Sequence, residues 1–173
     1  MKKCLIVVDY QNDFVNGALG FEKAVQLDER ISEKIEYYHN NNDDVIFTFD
    51  THKADYLNTQ EGKNLPIEHC IENTEGHKLY GKTATMKKDW DKCFYKPSFG
   101  SAELFEYLKQ TEYESIELCG VVSNICVISN AVLAKTAQPE TKIIVDSKCV
   151  ASNDDNLNNC ALEVMKTLHI NVI

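Results

Sequence analysis

Apolar residues along the chain alternate between short unbroken runs and longer stretches with helical spacing. The first run, CLIVVD, carries no polar residue before Asp9, as expected of a strand buried on both faces. Residues 27–39 then place Leu27, Ile31, Ile35 and Tyr38 on one side of a helix. DVIFTFD (44–50) is a second buried strand; SIELCGVV (115–122) is a third strand, KIIVDSKCV (142–150) a fourth, and INVI (170–173) a terminal one. Helices are expected over 101–109, with Ser101 as N-cap and Glu103 in the first turn, and over 124–137 and 156–168. The stretch from Thr51 to Pro97 reads as long and irregular, and it holds most of the His residues, with Asn and Gly among them; such loops in compact domains are usually functional.

Strands that alternate with helices predict an α/β fold with a parallel sheet covered by helices on both faces. Ligands of such sheets bind beyond the carboxyl ends of the strands. That rule singles out Asp9, Asp50 and the segment after Val122.

Composition narrows the chemistry. A chain of 173 residues is the size of one domain. The net charge of −9, with Lys and Arg scattered, argues against a nucleic-acid or anionic-membrane surface. The seven cysteines contain no CxxC pair, so neither a zinc ribbon nor a disulfide framework is expected. Free thiols fit a reducing compartment, and the N-terminal apolar run is too short for a signal segment or a membrane span, so a cytoplasmic protein is expected.

Three positions and one cluster draw attention as chemistry. Asp9, at the end of an apolar strand, is placed to act as a general base; the plain alternative is a turn or cap residue. Cys126 follows a strand and the turn VVSNI, at the expected first turn of the next helix with Ser123 or Asn124 as N-cap. A helix N-terminus favours thiolate and offers N–H groups to an oxyanion, although most cysteines are inert core residues. Lys96, in FYKPSFGS, would steady a thiolate if it lay beside these two; taken alone it reads as a solvated lysine. Asp50 and His52 form an Asp-x-His pair, and with His69 they make a plausible set for zinc, iron or manganese, against the common case of loop histidines that only hydrogen-bond.

DYQNDF, TFDTH, LPIEHC with TEG, KPSFG and CGVVSNICV occur in one order. Together they resemble the isochorismatase-like cysteine hydrolases, and within them the nicotinamidase branch, from Lys3 to about Met165. The resemblance implies one domain over 1–173, a Rossmann-like three-layer sandwich with a mainly parallel six-stranded sheet. It implies Asp9 as base, Lys96 as its lysine and Cys126 as nucleophile, and a cis peptide between Val121 and Val122 that helps turn the Val122 N–H, with that of Cys126, toward an oxyanion. It implies Asp50, His52 and His69 as metal ligands, Glu61 as a fourth in some members, and Phe14 in the ring pocket.

This chain departs from the family pattern at four places. Asn124 replaces the usual Asp, Ser123 the commoner Thr and Asn73 a frequent Gly. Leu65 precedes Pro66 where nicotinamidases often carry an aromatic residue.

The expected activity is hydrolysis of a small amide, nicotinamide first, through a Cys126 thioester, with a divalent metal, zinc before iron or manganese. The partner is then the small-molecule substrate, and the assembly a homodimer or higher homo-oligomer. The alternatives are a metal-independent ureido or carbamoyl amide hydrolase, a vinyl-ether hydrolase of the isochorismatase type, and a non-catalytic binding protein on the same scaffold.

Overall fold

The computed structural model describes all residues from Met1 to Ile173. Six strands, β1 (Cys4–Val8), β2 (Asp44–Asp50), β3 (Lys92–Lys96), β4 (Ser115–Val121), β5 (Lys142–Ala151) and β6 (Asn171–Val172), form one sheet in the order β3-β2-β1-β4-β5-β6. Every pairing is parallel.

The apolar runs are explained by burial on both faces. Cys4, Ile6 and Val8 of β1 point into one core cluster, Leu5 and Val7 into the other, the period-two alternation of a strand. On the first side lie α6 (Ala102–Lys109), α7 (Ile128–Ala137) and α8 (Asp155–Thr167). On the second lies α3 (Asp28–Asn40), with the short α1 (Asn12–Val15) and α2 (Glu22–Val25). Leu27, Ile31, Ile35 and Tyr38 are all buried, as their spacing predicts. Ser101 caps α6 by accepting the Leu104 N–H at 3.1 Å.

Glu117 interrupts the third apolar run yet is buried. Lys34 of α3 lies 2.6 Å from its Oε1, and the Tyr38 hydroxyl donates to its Oε2 at 2.7 Å. Lys34 also reaches Asp146 of β5 at 3.0 Å. A charge inside the sheet is tolerated because it is paired and hydrogen-bonded.

Two sequence expectations need correction. The stretch from Thr51 to Pro97 is not irregular throughout. It contains α4 (Gln60–Asn64), α5 (Gly81–Met86) and the edge strand β3. The sequence of β3, KCFYK, mixes charged and apolar residues and is half exposed, so it shows no buried run; lysine is a common guard of an open sheet edge. Second, the segment after β4 does not enter an α-helix directly. Ser123–Val127 form a π-helical turn that precedes α7. Neither Ser123 nor Asn124 caps it: the Ser123 hydroxyl donates to Asn158 Oδ1 at 2.6 Å, and Asn124 Oδ1 is buried without a partner.

The chain runs outward in one direction from β1 to β2 and β3, and in the other to β4, β5 and β6. The crevice of an open parallel sheet opens at such a reversal, here beyond the carboxyl ends of β1 and β4. Gly120 lets these two strands meet. Its φ is +109°, and a Cβ there would lie 2.1 Å from the Val8 carbonyl oxygen. Gly120→Ala should therefore destabilise the fold by about 2–3 kcal/mol or more, because a left-handed backbone and a backbone clash are imposed together. Urea unfolding, read as a lower midpoint at unchanged slope, checks this.

Candidate active site

Asp9, Asp50, Lys96 and Cys126 come from four strand ends and meet at one point. Asp9 follows β1 with a φ of +46°, unusual for a residue with a side chain. Lys96 is the last residue of β3 and stands in register with Asp50, the last of β2. Cys126 lies in the π-helical turn after β4.

Lys96 is the hub. Its Nζ lies 2.6 Å from Asp9 Oδ2, donates to the Ser98 carbonyl at 2.9 Å, and reaches Asp50 Oδ1 at 3.4 Å and Cys126 Sγ at 3.6 Å. Asp9, Lys96 and Cys126 are 0%, 2% and 4% exposed. Asp9 Oδ1 accepts the Thr48 hydroxyl at 2.7 Å. Asp9 Oδ2 accepts no aligned hydrogen bond; the Lys96 charge beside it is its partner.

Burial raises the proton affinity of the Asp9 carboxyl more than the Lys96 charge lowers it. Burial works against the Lys96 ammonium, but Asp9, Cys126 and Asp50 outweigh it and hold the proton there. Burial and then the Asp9 charge push the Cys126 thiol well up, against the pull of Lys96. This reverses the expectation of a thiolate favoured by a helix N-terminus. The turn is not the start of an α-helix, and a carboxylate stands beside the sulfur. Burial and the Asp9 charge thus favour the thiol over the thiolate at Cys126, while the same surroundings hold the proton on Lys96.

Asp50 joins this group to a second. His52 Nε2 lies 2.9 Å and His69 Nε2 3.4 Å from Asp50 Oδ2, and Glu61 Oε1 lies 3.7 Å from His52 and 3.6 Å from His69. One ligand atom from each of the four falls within 4.8 Å of all the others. The long loop folds back to bring His69 here: the Cys70 N–H donates to Asp13 Oδ2 at 2.8 Å, and His52 bridges to Ile71. The His69 Nδ1–H donates to the Ile67 carbonyl at 2.8 Å, which turns Nε2 toward the cluster. Two imidazoles and two carboxylates suit a divalent transition metal, so the residues present fit such an ion. Burial alone would raise the Asp50 carboxyl, but hydrogen bonds from His52 and His69, with the Lys96 charge, hold it well below the usual range. Asn73, where a glycine is frequent, sits at a φ of +66° in the same loop.

A cavity of about 230 Å³ opens between the two groups, with Cys126 and Asp50 in its wall. Phe14 and Leu65 line it as expected, and Phe14 packs 5.4 Å from the His69 ring. Phe21 and Phe99 line it too, so aromatic rings are present although Leu65 is not one. The Val121–Val122 peptide is cis, and the Val122 N–H has no acceptor within the protein.

Sequence reasoning missed several residues here. Phe99 was visible three residues after Lys96 in one motif. Thr48 was visible as a hydroxyl inside an apolar run. Gln11 accepts the Asp50 N–H at 2.8 Å and donates to its carbonyl at 2.9 Å. Asn130 donates to the Cys126 carbonyl at 2.8 Å and the Phe99 carbonyl at 3.1 Å. Neither residue carries a local signal, since their partners are remote in sequence.

A sheet that gathers a thiol, a carboxylate and a lysine at its switch point defines a doubly wound α/β scaffold with a cysteine centre. The Isochorismatase domain model matches residues 3–173, and the chain belongs to that family. A Bacillus subtilis (strain 168) protein described as the uncharacterized isochorismatase family protein PncA is 31% identical over 166 residues, covering 88% of this chain and 87% of its own. Among solved structures, a nicotinamidase/pyrazinamidase PncA from Bacillus subtilis superposes with a TM-score of 0.88 at 29% identity, covering 99% of each chain. A pyrazinamidase/nicotinamidase from Streptococcus mutans UA159 does so with a TM-score of 0.88 at 27% identity, covering 99% of this chain and 100% of its own. No helix is long and apolar enough to cross a membrane.

All seven cysteines are free, and Cys160 alone is exposed. At pH 7 a bulky charged maleimide should modify Cys160 and spare Cys126, whereas iodoacetamide, itself a small primary amide, should reach Cys126 through the cavity. Peptide mapping by mass spectrometry reads the difference, and equal labelling of Cys126 by both reagents would contradict the enclosed geometry.

Proposed function

We propose that this protein hydrolyses nicotinamide, or a closely related ring carboxamide, to the acid and ammonia. The observation that carries the reading is the Lys96 ammonium held between Asp9 Oδ2, Asp50 Oδ1 and Cys126 Sγ at one wall of a small aromatic cavity. The two solved relatives named nicotinamidase and pyrazinamidase support it.

The chemistry is covalent catalysis. With substrate in the cavity, Cys126 gives its proton to Asp9, and the sulfur attacks the amide carbonyl while Lys96 keeps its charge and steadies both anions. The oxyanion is met by the Val122 and Cys126 N–H groups. As the C–N bond breaks, Asp9 returns the proton to the leaving nitrogen and ammonia departs. Asp9 then takes a proton from water, which attacks the thioester; the carboxylic acid leaves and the Cys126 thiol is restored.

Asp50, His52, Glu61 and His69 would hold a divalent ion, zinc with iron or manganese as alternatives. Such an ion supplies a Lewis-acid contact for a ring nitrogen and orients the ring. Phe14, Phe21 and Phe99 enclose the ring and exclude water. The free thiols match a reducing, cytoplasmic setting. A homodimer or higher homo-oligomer is the assembly expected, and sedimentation reads it.

Ammonia release from nicotinamide and pyrazinamide tests the activity. Cys126→Ala and Asp9→Asn should each lower kcat by roughly a thousandfold or more with the fold intact by circular dichroism, and the double variant should be little worse than either, because the residues act as a unit. Near wild-type turnover by Asp9→Asn would remove Asp9 from the mechanism.

Elemental analysis of protein purified without chelator should find close to one equivalent of zinc, iron or manganese per chain. His52→Ala should lose both the metal and the activity on ring amides. Full activity without metal would move the assignment to ureido or carbamoyl amides.

A further inference from the structure

Thr48 lies on β2 directly opposite Val8 of β1, and so beside Asp9. It is fully buried within VIFTF. A valine would fill the same space and favour a strand as well, whereas a buried hydroxyl is costly unless bonded. Both bonds of its hydroxyl run to one residue. Its Oγ1 donates to Asp9 Oδ1 at 2.7 Å and accepts the Asp9 N–H at 3.3 Å, and its carbonyl accepts the same N–H at 3.2 Å. Thr48 thus grips Asp9 at both ends, the backbone at a φ of +46° and one carboxylate oxygen.

The two oxygens of Asp9 are thereby made unlike. Oδ1 is committed to a hydrogen bond. Oδ2 takes no bond from a neutral donor: it faces the Lys96 ammonium at 2.6 Å, and that ammonium lies 3.6 Å from Cys126 Sγ.

We infer that Thr48 is a positioning residue for proton transfer: by holding Oδ1 it makes Oδ2 the oxygen that takes the Cys126 proton. In that step the S–H bond breaks and an O–H bond forms at Oδ2; the carboxylate becomes a neutral acid and the thiol a thiolate, with no change in total charge. The inference rests on the reading of Asp9 as base. Without the hydroxyl the carboxylate can turn about its Cα–Cβ and Cβ–Cγ bonds, and part of the base's contribution, roughly a hundred- to ten-thousandfold for a well-placed group, is lost.

The test compares Thr48→Val, which removes the hydroxyl at nearly constant volume, with Thr48→Ser, which keeps it. Two readouts are needed: kcat and KM for ammonia release, and the rate of Cys126 alkylation by iodoacetamide at pH 7. Thr48→Val should lower kcat and the alkylation rate by roughly tenfold or more with KM within about twofold, and Thr48→Ser should restore both to within about threefold of wild type. Should Thr48→Val fail to fold, Thr48→Cys, of similar size but a weaker donor, is compared with Thr48→Ser in the same way. The inference is overturned if the variant lacking the hydroxyl keeps its kcat and alkylation rate, if Thr48→Ser is as impaired as Thr48→Val, or if only KM or thermal stability changes. Alkylation needs no substrate, so it decides on Thr48 even if wild-type protein releases no ammonia from nicotinamide. Thr48→Val introduced into Asp9→Asn should change the alkylation rate by less than about twofold, because the hydroxyl acts through the carboxylate; a roughly tenfold effect that persists there would show that Thr48 does not act through Asp9 and would overturn the inference.

Discussion

A single buried ammonium organises the catalytic edge of this protein. Lys96 is almost wholly removed from water, where an isolated charge would be untenable. It persists because two carboxylates, a carbonyl and a sulfur surround it. The converse also holds. Without Lys96, Asp9 and Asp50 would face each other as buried anions, and breaking a buried pair by removing one member typically costs about 3–5 kcal/mol. The ends of β1, β2 and β3 and the turn after β4 are therefore tied by one requirement, and the site is a condition for that edge of the fold as much as a product of it.

The same requirement joins the two side-chain groups. Asp50 offers Oδ1 to Lys96 and Oδ2 to the histidines. Any charge placed among His52, Glu61 and His69 is felt at Lys96 through one carboxylate. Gln11, which fixes the Asp50 backbone on both sides, keeps that carboxylate from drifting toward either group. Ring binding and bond cleavage are thus built on a shared residue, in a cavity only large enough for a small ligand.

Much of this was legible in the sequence, for a physical reason. Runs buried on both faces announce themselves by composition, so β1, β2 and β4 could be read directly, with β5 following from its apolar start, and the rule that ligands gather at carboxyl ends then picked out Asp9 and Asp50. What could not be read was structure with mixed exposure or remote partners. KCFYK looks like loop because an edge strand needs no apolar run, and only the family resemblance required a sixth strand. The π-helical turn around Cys126 has the same residues as a helix start and differs only in backbone path. Burial, with Asp9 alongside, disfavours the thiolate that a helix start would have favoured. Thr48, Gln11 and Asn130 each look ordinary until the chain has folded their distant partners against them.

The placement of Lys96 on β3 has one more consequence. β3 pairs on one side only, with β2, and forms the rim of the sheet. Strands at a rim exchange their amide hydrogens and fray before the interior opens. The ammonium that neutralises the innermost acids is thus carried by the least anchored strand of the six-stranded sheet apart from the two-residue β6. Local opening at this rim, short of global unfolding, is then the event that first separates the ammonium from its acids.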